Sequence, residues 1–221
     1  MIKTIEKLSY RHSTWQVFND FLEISASAVS NRIDKTNFEI RENNVVEIFK
    51  RYDANEIDMF IDMYRKLVME LDKQTQLGEL RDVLGELFHA LNLHNRWRGQ
   101  FFTPHTVANT MAEMTITDCD KIIKNKGYIT VGEPACGSGV MILGVANSLK
   151  KQGFNYQKHM LVQATDIDLK CVHMAYIQFS LYGIPAVVIH GNTLTMEEWS
   201  RWYTPMYAWN RVNGRLREVA M

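Results

Sequence analysis

GEPACGSGVMILG, running from Gly132 to Gly144, places four glycines around a Gly-Ser-Gly centre, between a short apolar run and a helix-like one. Glycine permits positive φ and close backbone approach, so such a strand-to-helix turn suits either tight packing or a ligand cradle. The runs on either side decide between folds. YITVGEPA from Tyr128, LVQATDID from Leu161 and AVVIHGN from Ala186 are short and β-rich, separated by helix-length segments and punctuated by Gly153 and Gly183. This is a βαβαβ pattern, which requires parallel strands and an α/β fold. In such sheets ligands gather beyond the carboxyl ends of the strands, where Glu133, Asp166 and Asn192 fall.

Upstream of residue 99 the period is helical. Ser13 with Gln16, and Asp53 with Glu56, read as helix starts. Behind them Trp15, Phe18, Leu22, Ala26 and Val29, and then Ile57, Phe60, Ile61, Tyr64, Leu67, Val68 and Leu71, recur at helical spacing. A third stripe lies in LRDVLGELFHALNL, on Val83, Leu84, Leu87, Phe88 and Leu91. These stripes predict a helical core and no chemistry. The expected organisation is a helical region over 1–98 and an α/β domain over 99–221.

Composition narrows the setting. The 221 residues carry 25 Lys and Arg against 25 Asp and Glu, so no global field favours a polyanion or a membrane surface. Cys119, Cys136 and Cys171 form no CxxC pair, and the amino terminus MIKTIEKLSYRHS has no apolar block, which predicts reduced thiols and a soluble, cytoplasmic protein. Cys136 sits in the turn without an obvious base and reads as a small buried residue. The seven histidines show no HExxH or comparable spacing, so no metal is expected.

The turn can be tested against nucleotide loops. A P-loop needs a Lys after its last glycine, but Val145 follows Gly144. A dinucleotide fingerprint needs GxGxxG, whereas Gly137 and Gly139 are followed by Val140, Met141 and Ile142. What remains is either a purely structural turn or one that admits a small ligand, with a carboxylate to take two ribose hydroxyls and glycines to make room for an amino-acid moiety. S-adenosyl-L-methionine (SAM) is the ligand that suits it.

A second motif, GQFFTPHTVANTM from Gly99 to Met111, precedes EPACGSG and the acid-bearing strand. This ordered set, over roughly residues 80–195, resembles the N6-adenine DNA methyltransferases, especially the modification subunits of type I restriction-modification systems. The DxLGELF-like helix is similar too. The resemblance implies a Rossmann-like SAM-dependent domain, with S-adenosyl-L-homocysteine (SAH) as product. It implies that Gln100, Phe102, Thr103 and Pro104 hold the methionine end, with Gly137, Ser138 and Gly139 beneath it. Thr103 is expected to cap a helix beginning at Pro104. Asp166 would take the ribose hydroxyls and Ile167 flank the adenine. Asn192 stands where relatives usually carry an aspartate, and its amide oxygen can still accept from the adenine amino group. Glu133 replaces the usual aspartate.

The catalytic Asn/Asp-Pro-Pro-Tyr/Phe motif of that family is absent, since Pro104, Pro134, Pro185 and Pro205 are never adjacent. The nearest candidates are Thr204, Pro205 and Tyr207, in Thr204-Pro205-Met206-Tyr207. The preceding MEEWSRWY is too polar for a buried fourth strand, so a truncated sheet of three parallel strands with a short tail is expected. Arg201, Arg211, Arg215 and Arg217 form a local basic cluster suited to weak DNA binding. Sequence-specific reading would need a specificity subunit or a second methyltransferase subunit. The alternative is a SAM-binding regulatory or assembly module without catalysis.

Overall fold

The computed structural model describes residues 1–93 and 103–214. The amino-terminal part is helical, with α1 (Ile2–Leu8), α2 (Thr14–Ser30), α3 (Phe38–Phe49), α4 (Ala54–Gln76) and α5 (Val83–Ala90). Both polar starts act as caps. Ser13 Oγ accepts from the Gln16 amide at 3.1 Å, and Asp53 and Glu56 each accept from the other's amide at 3.0 Å. Phe18, Leu22 and Ala26 of α2, and Phe60, Leu67 and Leu71 of α4, turn inward, while Trp15, Ile61 and Val68 remain exposed at the edges of the stripes.

Beyond residue 102 helices and strands interleave: α6 (His105–Thr115), α7 (Cys119–Lys126), β1 (Ile129–Glu133), α8 (Val140–Lys151), α9 (Tyr156–His159), β2 (Met160–Asp166), α10 (Leu169–Tyr182), β3 (Ala186–Asn192), β4 (Glu197–Tyr203) and α11 (Pro205–Val212). The sheet order is β1-β2-β3-β4. The first three strands are parallel, with Val131 opposite Val162 and Ala164 opposite Val188. The architecture is thus a helical amino-terminal region followed by a mixed, mostly parallel four-stranded α/β sheet.

The expectation of three strands is corrected here, because MEEWSRWY does form a strand. It is β4, antiparallel to β3, with a bulge between His190 and Gly191. Its polarity is explained by position. An antiparallel edge strand can leave most of its side chains in water, and of β4 only Trp202 is buried.

α10 is buried over nearly its whole length because it lies between layers, packing on β2 and β3 on one side and on α2, α4 and α5 on the other. One hydrophobic cluster therefore runs from Phe18 and Phe88 through Tyr176 and Phe179 to Val162 and Val188, across the junction between the helical region and the sheet. Arg41 of α3 fastens the far edge. It is 5% exposed, pairs with Asp34 at 2.8 Å, donates to the Arg201 carbonyl at 3.2 Å and lies 4.2 Å from the centre of the Trp202 ring.

His173 of α10 packs edge-to-face with the Trp202 ring, the ring centres 4.7 Å apart. Burial, with smaller contributions from His190 and Arg41, lowers its pKa from 6.5 to about 3. Between those values the unfolded chain holds a proton that the folded protein does not, so stability falls as pH falls through the window, by up to about 1.4 kcal/mol per pH unit. The stability advantage of wild type over His173→Gln, measured by chemical denaturation, should shrink as pH is lowered from about 7 to about 5. A constant difference would show that His173 does not carry this proton.

Candidate cofactor crevice

The glycine turn joins β1 to α8 and is pinned to the end of β2. The Cys136 amide donates to the Thr165 carbonyl at 2.9 Å, and the Gly137 amide to Asp166 Oδ2 at 2.8 Å. Gly139 caps α8 with φ of 99°, and a Cβ there would sit 2.6 Å from the Phe179 ring, so both the backbone angle and the packing require glycine. A glycine cap brings no side chain, which leaves the first amides of α8 without a side-chain partner at the positive end of the helix.

Asp166 ends β2 with each oxygen accepting one amide, Oδ2 from Gly137 and Oδ1 from Asp168 at 2.9 Å. Burial raises its pKa, opposed by the Asp168 and Gly137 amides. Each oxygen keeps a lone pair for a further donor. Ile167 is 61% exposed beside it. Glu133 accepts from the Ala135 amide at 3.1 Å. The structure therefore brings Glu133, Gly137, Gly139, Asp166 and Ile167 to one end of the sheet. A carboxylate with spare acceptors beside uncapped helix amides is a donor set that fits a ligand with vicinal hydroxyls and a carboxylate of its own.

Two predicted contributors have other engagements. Ser138 is fully buried, its hydroxyl donating to Asp82 Oδ2 at 2.5 Å, so only its backbone faces the turn. Asn192 Oδ1 accepts from the Leu194 amide at 3.0 Å and shapes the β3–β4 turn, while Thr193 donates to the Pro134 carbonyl at 2.6 Å and hooks that turn onto the glycine turn. α6 starts at His105 with Pro104 as its cap residue and no side-chain cap bond, which corrects the expectation that Thr103 caps it. α6 runs alongside α8, Ala108 against Gly144 and Glu113 paired with Lys151, so Thr103 and Pro104 lie toward the same end as the glycine turn. Gln100 and Phe102 lie outside the described residues.

Thr204, Pro205 and Tyr207 are not brought to this crevice. Thr204 is fully buried, donates to the Ile184 carbonyl at 2.8 Å and accepts from the Ala186 amide at 2.9 Å, at the start of β3. Asp166 is level with His190. Four residues separate Ala186 from His190, which at about 3.3 Å each puts this segment ~13 Å down the sheet. Thr204 caps α11 through the Tyr207 amide at 3.3 Å, and Tyr207 stacks on Tyr203. Of the arginine cluster, Arg201 pairs with Glu198 at 2.6 Å and Arg211 sits on α11, while Arg215 and Arg217 lie outside the described residues.

The residues that sequence reading missed are Asp82, Asn147 and Gln178. Asn147 both donates to the Leu80 carbonyl at 3.0 Å and accepts from the Leu80 amide at 2.8 Å, and Gln178 accepts from the Leu84 amide at 3.1 Å. The signal for Asn147 and Gln178 is an amide side chain isolated within a buried apolar helix, where an unpaired polar group would be costly. The Cys136 thiol is buried and its pKa pushed well up, chiefly by that burial, which makes it a poor nucleophile. Among the described residues, no group of three or more His, Cys, Asp or Glu side chains is placed to hold a metal ion, and no helix is long and apolar enough to cross a membrane.

Thr204 thus knits β3 to α11. Thr204→Val should lower unfolding stability by about 1–3 kcal/mol, because it strands buried backbone groups, without changing any ligand binding at the other end of the sheet. Wild-type stability in that variant would show the hydroxyl to be dispensable.

A comparison with curated proteins finds no match. A family model for N-6 DNA methylase matches residues 79–209, from just before the Asp82 segment, through the glycine turn and Asp166, into α11. That span is more than half of the chain and contains the whole sheet and crevice, and the chain belongs to the N-6 DNA methylase family.

Proposed function

We propose that this chain is the SAM-binding subunit of an adenine-N6 DNA methyltransferase of restriction-modification type, and that a partner subunit completes the catalytic face. Asp166 would hold the ribose hydroxyls, Ile167 one face of the adenine, and the amides at Gly137 and the start of α8 the methionine carboxylate. Thr103 and Pro104 would close over that end. The bound group supplies an activated methyl; the chain's own residues bind it, orient it and cover it.

The observation that carries the partner dependence is the position of β1. In doubly wound sheets the ligand crevice lies where the strand order reverses, with strands on both sides of it. Here β1 is the terminal strand among the described residues. Its outer edge borders a groove of about 580 Å³ lined by Met111, Ile116, Ile122, Val131, Glu133 and Met141. Among the described residues the crevice therefore has one wall. The motif that positions the target amino group is missing from the sequence, and Thr204-Pro205-Met206-Tyr207 is at the wrong end of the strands to replace it.

Charge supports the same reading. Among the described residues, Glu133, Asp166, Asp168, Glu197 and Glu198 stand around the carboxyl ends of the strands, and the cations Lys170 and Arg201 beside them are each paired with one of these acids. DNA phosphate is repelled by such a rim, so the cationic surface for DNA would come from the partner. A second reading, a SAM-binding regulatory module without catalysis, is favoured by the same displacement of Thr204 and differs only in what mixing with a partner does.

Two outcomes test this. Asp166→Ala should weaken SAM binding by roughly ten- to a hundredfold in calorimetry, since it removes paired bonds to a charged acceptor; an unchanged titration would move the ribose site elsewhere. With radiolabelled SAM and unmethylated duplex DNA, the chain alone should transfer no detectable methyl to adenine, and transfer should appear only with a second subunit. Robust methylation by the lone chain would overturn the partner dependence, and silence with every partner would leave the regulatory module.

A further inference from the structure

Asp82 is 4% exposed and stands just before α5, far in sequence from the glycine turn. Its Oδ1 accepts from the Gly85 amide at 2.9 Å, which caps α5, and from Gln178 Nε2 at 2.9 Å. Its Oδ2 accepts from the Ser138 hydroxyl at 2.5 Å. Gln178 Nε2 also donates to the Ser138 carbonyl at 2.9 Å. Both polar ends of Ser138 are thus anchored on the side away from the crevice, directly or through one amide, by Asp82.

A helix cap alone does not need this residue. Serine or threonine would cap α5 without burying a charge, and a buried carboxylate carries a desolvation cost that neutral caps avoid. A carboxylate adds a second acceptor oxygen in a fixed fork, and here that oxygen is spent on the turn. On the crevice side the neighbouring residue, Gly137, is held by Asp166. The turn is therefore clamped between two carboxylates, one on each side.

We propose that Asp82 is a positioning residue for the cofactor turn, holding Ser138 from behind so that the turn keeps its shape as Asp166, still bonded to the Gly137 amide, takes a ligand's hydroxyls on its free lone pairs. This rests on the reading of the crevice as the SAM site. It makes the segment before α5 part of that site, although it touches no ligand. It also separates two kinds of damage. Losing Asp166 strikes the ribose and so every adenosine-containing ligand, whereas losing the rear clamp strikes the amino-acid end that lies over the turn.

The test is calorimetric titration of the full chain with SAH and, separately, with adenosine, alongside thermal unfolding. Ser138→Ala leaves the α5 cap intact and removes the link; Asp82→Ala removes both. Each should weaken SAH about tenfold while changing adenosine by less than about twofold. Asp82→Asn, whose amide can donate to Ser138 Oγ while its oxygen keeps the cap, should recover most of the SAH affinity. Asp166→Ala should weaken both ligands together. A general loss of stability lowers both affinities alike, so the ratio of SAH to adenosine binding is the deciding quantity. An unchanged ratio in Ser138→Ala and Asp82→Ala would overturn the positioning role. Wild-type chain that binds neither ligand would overturn the cofactor reading and this inference with it.

Discussion

The irregular backbone from Leu80 to Asp82 and the first turn of α5 that follows it are held against the sheet's helices by side chains instead of by a strand. Asn147 of α8 brackets Leu80 through both its amide and its carbonyl, and Tyr182 of α10 does the same for Arg81, accepting from its amide at 3.1 Å and donating to its carbonyl at 2.9 Å. Gln178 takes the Leu84 amide, and Asp82 takes Gly85. A buried backbone group left without a partner costs about 1–3 kcal/mol, so each of these side chains is worth more by its presence than an average hydrogen bond suggests. The helical region packs on α10 through apolar contacts that could slide. These directional bonds fix where it stops.

That constraint propagates into the rest of the α/β half. Asn147 also donates to Asn109 of α6 at 3.2 Å, and Asn109 in turn donates to Glu79 at 2.8 Å, so α6 and the Leu80 segment are set by the same side chain of α8. Gly144 makes this possible, because a Cβ there would lie 2.7 Å from the Ala108 carbonyl. The start of α6, the glycine turn at the head of α8 and the Asp82 fork are therefore one mechanical unit. The family match, which begins at residue 79, covers that unit whole.

How much of this was legible follows from what a local pattern encodes. Strands β2 and β3 are largely buried on both faces and read as apolar runs, and β1, of which only Ile129 is buried, leads straight into the glycine turn, so Ile129–Glu133, Met160–Asp166 and Ala186–Asn192 were visible, as was the turn between the first strand and its helix. β4 was not, because an edge strand with one buried residue carries no apolar signature, and its strand character comes from pairing with β3. Thr204 to Tyr207 was located but not placed: similarity to a motif carries no information about which end of a sheet a hairpin returns to, and β4 returns the chain to the amino ends. Asp82 was not singled out, because the cap it gives α5 is an ordinary local feature. Its second oxygen acts across a sequence distance that no spacing rule spans.

The open edge of β1 and the acidic rim together limit what can complete the site. Among the described residues β1 has one neighbour, which leaves a row of backbone donors and acceptors unpaired, and apolar residues on α6, α7 and α8 stand beside that row. A surface of this kind is satisfied by another backbone, not by a solvated polyanion. DNA approaching the same end meets Glu133, Asp166 and Asp168 at close range, and at physiological ionic strength like charges within roughly 8 Å are only partly screened. Whatever closes the crevice must therefore bring an extended segment for the β1 edge and positive charge for the rim. One protein surface can supply both, and on the proposed reading it is such a surface, and not the nucleic acid itself, that covers this edge.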